Sequence, residues 1–306
     1  MKENIGKTIR ELRLRKGLTG KELCEACSRV LTPQQLSNVE NGLQCPSSEK
    51  LILILKALNI NYDEFSYLMN DGILNQKRLL EEELQLIDLN KDKNELEVFI
   101  KKTTDLVHER QDVFFRHILW RAQAMHAILI QGEEFAEIRK YMVPIEVYLN
   151  EIEEFSSYEI FLTKCCIPYM NIDKSVLFAK KSLATIAKHA EFYKDSGEKP
   201  SLLLQIATAC LEFERYIDLA SDYAKKCMLF LEQSPELDIT QQLSAKIIYQ
   251  IARYKLGDGT FESEAFLSAL NIFKLIGLDD KHKQFLELAH RHNIQTKFRY
   301  SKMTLF

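Results

Sequence analysis

The stretch TPQQLSNVENG, residues 32–42, decides how this chain reads. It holds two glutamines, two asparagines and a serine around only two aliphatic positions, Leu36 and Val39. Those two are three residues apart, the spacing of one helix face. An ordinary surface helix would set Glu and Lys opposite that face; this one sets amides and hydroxyls. An ordered amide calls for a partner that matches its donor and its acceptor, and a base edge is such a partner.

The flanks give the stretch its setting. Thr32 is a helix N-cap with Pro33 in the first turn, where a missing N–H costs nothing, and Gly42 ends the helix. Upstream, Ile5, Ile9, Leu12 and Leu14 form an apolar helical face closed by Gly17. Thr19 and Glu22 make a capping box for a second helix, with Leu23, Ala26 and Cys27 inward. Downstream, Pro46-Ser47 opens a fourth helix, SSEKLILILKALNI, and YDEFSYLM supplies a fifth. Five short helices with a turn between the second and third describe a helix-turn-helix domain over residues 1–70.

The chain has 306 residues, enough for two domains of ordinary size. Hydrophobic content of 46% and charge of 28% mark a folded globular chain. Ten glycines and six prolines are few, which favours an all-α fold. The absence of a secretory leader or an 18-residue apolar run argues for a cytoplasmic protein without a membrane segment. Seven cysteines in no framework spacing read as reduced thiols. Residues 1–70 carry ten Lys/Arg against eight Asp/Glu, so a mildly basic head precedes an acidic body. A basic head is the electrostatic minimum for touching phosphate.

IRELRLRKGLTGKEL, TPQQLSNVENG and PSSEKLILILKALNINYDEF together resemble the phage-repressor/XRE helix-turn-helix family, from Ile5 to about Leu68. The resemblance implies a third helix lying in the major groove of double-stranded DNA. It implies that Gln34, Gln35 and Asn38 read bases, with Thr32, Ser37 and Asn41 near phosphates. Arg13 and Glu40 are, by the same pattern, a structural ion pair between the first and third helices. Arg10, Arg15, Lys21 and Arg29 are phosphate candidates, or ordinary solvated charges. The sequence departs from the pattern at Pro33, at Gly20, and in the longer CSRV connection.

From about residue 71 to 306 the periodic apolar segments lengthen. Eleven amphipathic helices are expected between 75 and 292, among them 93–107, 172–194 and 238–256. Breaks fall at QGEE, PYMNID, DSGEKPS, EQSPELD and LGDGT. Helix pairs recurring every 35–45 residues have the period of a TPR-like α-solenoid. The strict tetratricopeptide consensus is absent, and YKLGDG is only a fragment of it.

The order of parts carries a second resemblance. YLNEIEEFSSYEIFLTKCCIPYMN with the following IDKSVLFAKK, then AKIIYQIARYKLGDG and ALNIFKLIGLDD, are similar to stretches of the Rgg family of Gram-positive regulators. That resemblance implies a homodimeric transcriptional regulator whose repeat domain binds a short hydrophobic signalling peptide. A site for an extended peptide needs amides, Arg and Tyr on inner helices. Tyr169, Asn171, Gln205, Gln250, Arg253 and Tyr254 are the candidates, each of which could instead be a cap or a solvated residue. The apolar runs 266–278 and 285–289 are candidates for the dimer contact.

Other signals point nowhere chemical. Cys24 and Cys27 form a CxxC on a helix without a second pair, so no metal site is expected. Cys45 lies in a loop before Pro46, and Cys165-Cys166 read as core. No phosphate loop or nucleophile motif stands in context, so neither an enzyme nor a cofactor is expected. Two rival readings stay open: a protein scaffold with a degenerate head, and a regulator that senses a small molecule.

Overall fold

The structure is a computed structural model, which describes residues 2–70, 75–131, 135–233, 238–257 and 263–294. Among them every regular element is helical. The chain divides into two compact units, Met1–Asp92 and Lys93–Phe306. The first takes in a helix beyond the five expected within residues 1–70.

The first unit contains α1 (Lys2–Arg15), α2 (Gly20–Ala26), α3 (Pro33–Glu40), α4 (Ser48–Ala57), α5 (Tyr62–Met69) and α6 (Gln76–Asn90). Side-chain caps fix the starts of five of them, α2 to α6, the last through Asn75, which accepts the Lys77 N–H. Thr19 and Glu22 close a reciprocal box on α2, and Thr32 and Gln35 close another on α3. The Ser47 hydroxyl accepts the Lys50 N–H at the start of α4, and Asn61 accepts the Glu64 N–H at the start of α5. Each such cap satisfies a backbone donor that the helix itself leaves unpaired. At the end of α3, Gly42 adopts φ +71°, and the Leu43 N–H folds back to the Asn38 carbonyl at 2.8 Å. That is the left-handed stop for which glycine is suited.

The head core joins Ile9 and Leu12 of α1, Leu23, Cys24 and Cys27 of the α2 region, Leu36 and Val39 of α3, and Ile54, Leu55, Leu58 and Phe65 beyond. Two sequence expectations are corrected here. Leu14 is 57% exposed, because it stands two residues after Leu12 and so on the far side of α1. Ala26 is exposed too, and Cys24, adjacent to Leu23, fills the inward position.

The backbones of α1 and α3 come close together at Gly6. A Cβ placed on Gly6 would stand 1.9 Å from the Val39 carbonyl oxygen. Gly6 thus lets the two backbones touch, and it sets how deep α3 sits. The link from α2 to α3 runs through Ser28 at φ +55° and Arg29 at φ +59°, two successive left-handed residues that are not glycine. This is the form taken by the longer CSRV connection.

The second unit runs through α7 (Lys93–Glu109), α8 (Val113–Gln131), α9 (Phe135–Glu151), α10 (Ser157–Cys166), α11 (Ile172–Lys188), α12 (Ala190–Tyr193), α13 (Glu198–Leu211), α14 (Ile217–Glu232), α15 (Ile239–Lys255), α16 (Ser263–Leu275) and α17 (Asp279–Arg291). α7, α8 and α9 pack in succession, as do α10, α11, α13, α14, α15, α16 and α17, and α13 also packs on α15, which is the layering of stacked helix hairpins. The single helix expected over 172–194 breaks at His189, whose N–H still bonds the Thr185 carbonyl. The breaks expected at QGEE, EQSPELD and LGDGT fall wholly or partly outside the described residues.

One buried polar network joins α8, α9 and α10. His117, 1% exposed, shares a 2.9 Å hydrogen bond between Nδ1 and the Tyr158 hydroxyl, and packs edge-on to the Tyr148 ring. Tyr148 donates to Glu159 Oε1 at 2.5 Å. The other Glu159 oxygen accepts the N–H and hydroxyl of Ser156. Burial would raise the Glu159 pKa, but the bonds from Ser156 and Tyr148 outweigh it, so Glu159 stays below the usual carboxylate range. Burial, reinforced by Arg116 and Arg121, lowers His117 to about 4.

Two outcomes follow. Gly→Ala within a helix ordinarily stabilises by about 0.5–1 kcal/mol; Gly6→Ala should do the reverse, costing on the order of 2 kcal/mol by overpacking against backbone. Hydrogen exchange at the head amides of the full chain reads the sign, and slower exchange would refute the tight contact. His117 is held neutral in the folded state and takes a proton more readily when unfolded. Stability should therefore fall as pH drops below about 6.5 toward 4, by about 2 kcal/mol between pH 7.5 and 5. Urea midpoints at the two pH values should converge in His117→Gln; an undiminished gap would locate the acid sensitivity elsewhere.

Candidate nucleic-acid interface

α3 presents two faces of opposite character. Leu36 and Val39 are 1% and 2% exposed and enter the core. Gln34, Ser37, Asn38 and Asn41, at i, i+3, i+4 and i+7, form a stripe on the outer side. Gln34 Nε2 donates to Asn38 Oδ1 at 3.2 Å, and Asn41 Nδ2 donates to Ser37 Oγ at 3.3 Å. The amides thus order one another along the helix. Each keeps unused hydrogen-bonding capacity directed outward.

Thr32 and Gln35 are placed differently. The Thr32 hydroxyl accepts the Gln35 N–H, and Gln35 Oε1 accepts the Thr32 N–H, both at 3.2 Å. Gln35 Oε1 also accepts from Lys50 Nζ at 3.3 Å. The carbonyl end of Gln35 is therefore spent on holding the helix start. Lys50 is a cation that the sequence reading passed over. It sits at the third position of α4, where a capping box would carry Glu or Gln, and where a positive charge opposes the helix dipole. That local mismatch was the available signal.

The remaining basic candidates are spread around the head. Arg15 is exposed and lies 3.8 Å from Glu11 on its own helix. Lys21 and Arg29 are exposed, and Arg10 is exposed on α1.

Behind the stripe stands the Arg13–Glu40 pair. Arg13 Nε meets Glu40 Oε1 at 2.7 Å, and Nη2 meets Oε2 at 2.8 Å. Nη1 donates to the Leu18 carbonyl at 2.8 Å. The side chains are 11% and 9% exposed, so this is a nearly buried, bidentate bridge. The hydrogen bond to Glu40 raises the Arg13 pKa above its ordinary value. Glu40 is the last residue of α3, so the bridge pins the end of that helix to the end of α1.

Cys24 and Cys27 are both core residues, and burial pushes both thiols up. Among the described residues no group of three or more His, Cys, Asp or Glu is placed to hold a metal ion. Cys45 is exposed.

In the second unit, the peptide candidates fall into three places. Tyr169 packs half-buried against the core at the turn before α11, and Asn171 spends its side-chain oxygen on the Asp173 N–H as the α11 cap. Gln205 is exposed on α13. Gln250, Arg253 and Tyr254 share one stripe of α15, and Arg253 Nη1 donates to the Tyr249 hydroxyl at 3.3 Å. A cavity of about 260 Å³ adjoins that stripe, lined by Met228, Lys246, Ile247, Tyr249, Gln250, Phe266 and Ala269. Of the run 266–278, Phe266, Ala269, Leu270 and Phe273 are core, while Leu275 and Ile276 are 83% and 51% exposed.

Residues 9–65 match the helix-turn-helix family model HTH_3. The fold as a whole is that of known structures. The chain aligns with the SHP pheromone receptor Rgg2(C45S) of Streptococcus dysgalactiae at 20% identity and a TM-score of 0.73, over 94% of this chain and 99% of that one. It aligns with a candidate transcriptional regulator from Listeria monocytogenes EGD-e at 16% identity and a TM-score of 0.76, over 96% and 100%. A bacterial peptide pheromone/receptor complex matches at 16% identity and a TM-score of 0.65, over 95% and 99%. No curated protein matches by sequence. The architecture is thus a helix-turn-helix head followed by a helical-repeat body. Among the described residues no helix is long and apolar enough to cross a membrane.

Removing one partner of the bridge should leave the Arg13 cation nearly buried without its carboxylate. Glu40→Ala is expected to destabilise the head by roughly 3 kcal/mol, the lower end for a broken buried pair. Arg13→Met with Glu40→Leu should recover much of the loss. Denaturant midpoints measure both, and a single variant within 0.5 kcal/mol of the parent (roughly the scatter of a neutral surface change) would refute a structural bridge.

Proposed function

We propose that the protein is a sequence-specific DNA-binding transcriptional regulator, in which a short hydrophobic peptide bound by the helical body controls the helix-turn-helix head. The observation that carries this is the outward amide stripe of α3, held rigid from behind by the Arg13–Glu40 bridge and the Gly6 contact. A helix fixed that firmly, with Gln and Asn presented in register, suits hydrogen bonding to base edges in the major groove.

In this reading Gln34 and Asn38 read bases, and Ser37 and Asn41 approach phosphates. Thr32 and Gln35 orient the helix start, with a contribution from Gln35's remaining amide protons. Arg15, Lys21, Arg29 and Lys50 supply the sequence-independent attraction to phosphate. Residues 1–70 act as the reader and 71–306 as the sensor. One recognition helix covers few base pairs, so the working form is a homodimer on two half-sites about one helical turn apart. The exposed Leu275 and Ile276 suit a dimer contact.

The sensor role is supported by the fold shared with pheromone receptors and by the polar stripe of α15. A peptide can shift the placement of the heads only by binding one arrangement of the body better than another, typically with about 1–3 kcal/mol of coupling. The protein works in the cytoplasm, and its action is binding rather than catalysis.

Selection of bound duplexes from a random pool tests the reading. The full chain should enrich a two-fold symmetric site. Gln34→Ala and Asn38→Ala should each lose about 1–3 kcal/mol on that site and relax preference at particular base pairs. Lys50→Ala should weaken every duplex alike and flatten the salt dependence. Failure to enrich any sequence would sink the regulator reading; equal losses on selected and scrambled duplexes for Gln34→Ala would sink its base-reading role.

A further inference from the structure

The cavity beside α15 joins an apolar floor to a polar rim. Its floor is Ile247, Phe266 and Ala269, all buried in the repeat core, with the half-buried Met228 beside them. Its polar members come from one face of α15: Lys246, Tyr249 and Gln250, at i, i+3 and i+4. The next turn of the same stripe carries Arg253, held against Tyr249 by its hydrogen bond and with its guanidinium carbon 5.9 Å from that ring's centre. Lys246 itself is exposed and has no ion-pair partner among the described residues. The site therefore combines a fixed apolar floor with a cationic, amide-bearing edge, and its lining includes no carboxylate.

Size limits what can enter. At about 260 Å³ the cavity lies below the roughly 300–1,000 Å³ of sites that enclose a whole drug-sized ligand. It has room for one terminal group. The ligand must carry an anion next to that apolar group. An internal Asp or Glu does not, because its own side chain is the anion. A peptide's last residue does, since its apolar side chain and its free α-carboxylate leave the same carbon.

We propose that this cavity anchors the C-terminal residue of the sensed peptide, with an apolar side chain on the Ile247–Phe266–Ala269 floor and the α-carboxylate at Lys246 and Gln250. This rests on the peptide-sensor reading above and adds to it a direction of binding and a requirement for a free, uncapped C-terminus. A short fatty acid presents the same apolar carboxylate, so the two sources are separated in the test.

The full-length protein is labelled with ¹³C-methyl methionine, and the Met228 signal is assigned by its loss in Met228→Leu. N-acetyl-leucine, N-acetyl-leucinamide and hexanoate are then titrated separately. The expected result is a saturable shift of Met228 with N-acetyl-leucine, at least tenfold weaker with the amide. Lys246→Gln, a change at an exposed position, should abolish that difference while leaving the rest of the methyl spectrum in place. Equal responses to acid and amide, or no movement of Met228, would overturn the assignment. Hexanoate binding as tightly as N-acetyl-leucine would overturn it in favour of a fatty-acid site. In parallel, a pool of apolar heptapeptides and the same pool amidated are tested for their effect on DNA affinity. If both pools change DNA affinity alike, the cavity assignment fails and the sensor reading stands. If Met228 responds as expected but neither pool alters DNA affinity, the sensor reading fails, and the cavity remains a site for apolar carboxylates.

Discussion

The placement of α3 depends on two contacts on its hidden side. Arg13 grips Glu40 through two parallel hydrogen bonds and uses its third nitrogen on the Leu18 carbonyl. Gly6 lets the α1 backbone approach Val39 to a distance no side chain would permit. The first fixes the end of the helix and the second fixes its depth. Neither is a strong source of net stability, since a desolvated pair gains little over a well-packed apolar one. What they supply is a single answer to where the amide stripe stands. In the proposed role, where that stripe meets base edges, position matters more than another kilocalorie.

The two units divide the physical work differently. The head spends polar groups on geometry: two capping boxes, a bidentate bridge, and a row of amides that hydrogen-bond along the helix. The body spends apolar area on continuity, with one core running from α8 to α17. Its chief polar interior, the His117–Tyr158 and Tyr148–Glu159 network, sits where α8, α9 and α10 converge. Such a network is satisfied only in one arrangement, so it ties the start of the repeat stack together more selectively than greasy packing would.

Much of this was legible in the sequence, and the exceptions have physical causes. Caps and stops are local, so Thr19–Glu22, Thr32 and Gly42 gave the head's helices close to their true bounds. Leu14 misled because hydrophobicity was read without its phase, two residues out from Leu12. Gln35 carries two readings at once, because the T-x-x-Q pattern of a capping box and the pattern of a base-reading amide coincide on one residue, and its side-chain oxygen serves the cap. Gly6 was silent: a helix-interior glycine shows its purpose only when the backbone it touches, more than thirty residues away, is in view. The α15 stripe was partly visible through Gln250, Arg253 and Tyr254, whereas Lys246 and the apolar floor came together only when α14 and α16 closed on it.

The distribution of sulfur has a practical consequence. Five of the seven cysteines are buried, and burial pushes the Cys210 and Cys227 thiols up to about 12. A thiol that stays protonated is a poor nucleophile, so alkylating reagents discriminate sharply among these side chains. Cys45 alone is exposed, a few residues past the stop that closes α3. The unmodified protein thus offers an attachment point for a fluorophore or spin label close to the end of α3, without any engineered residue.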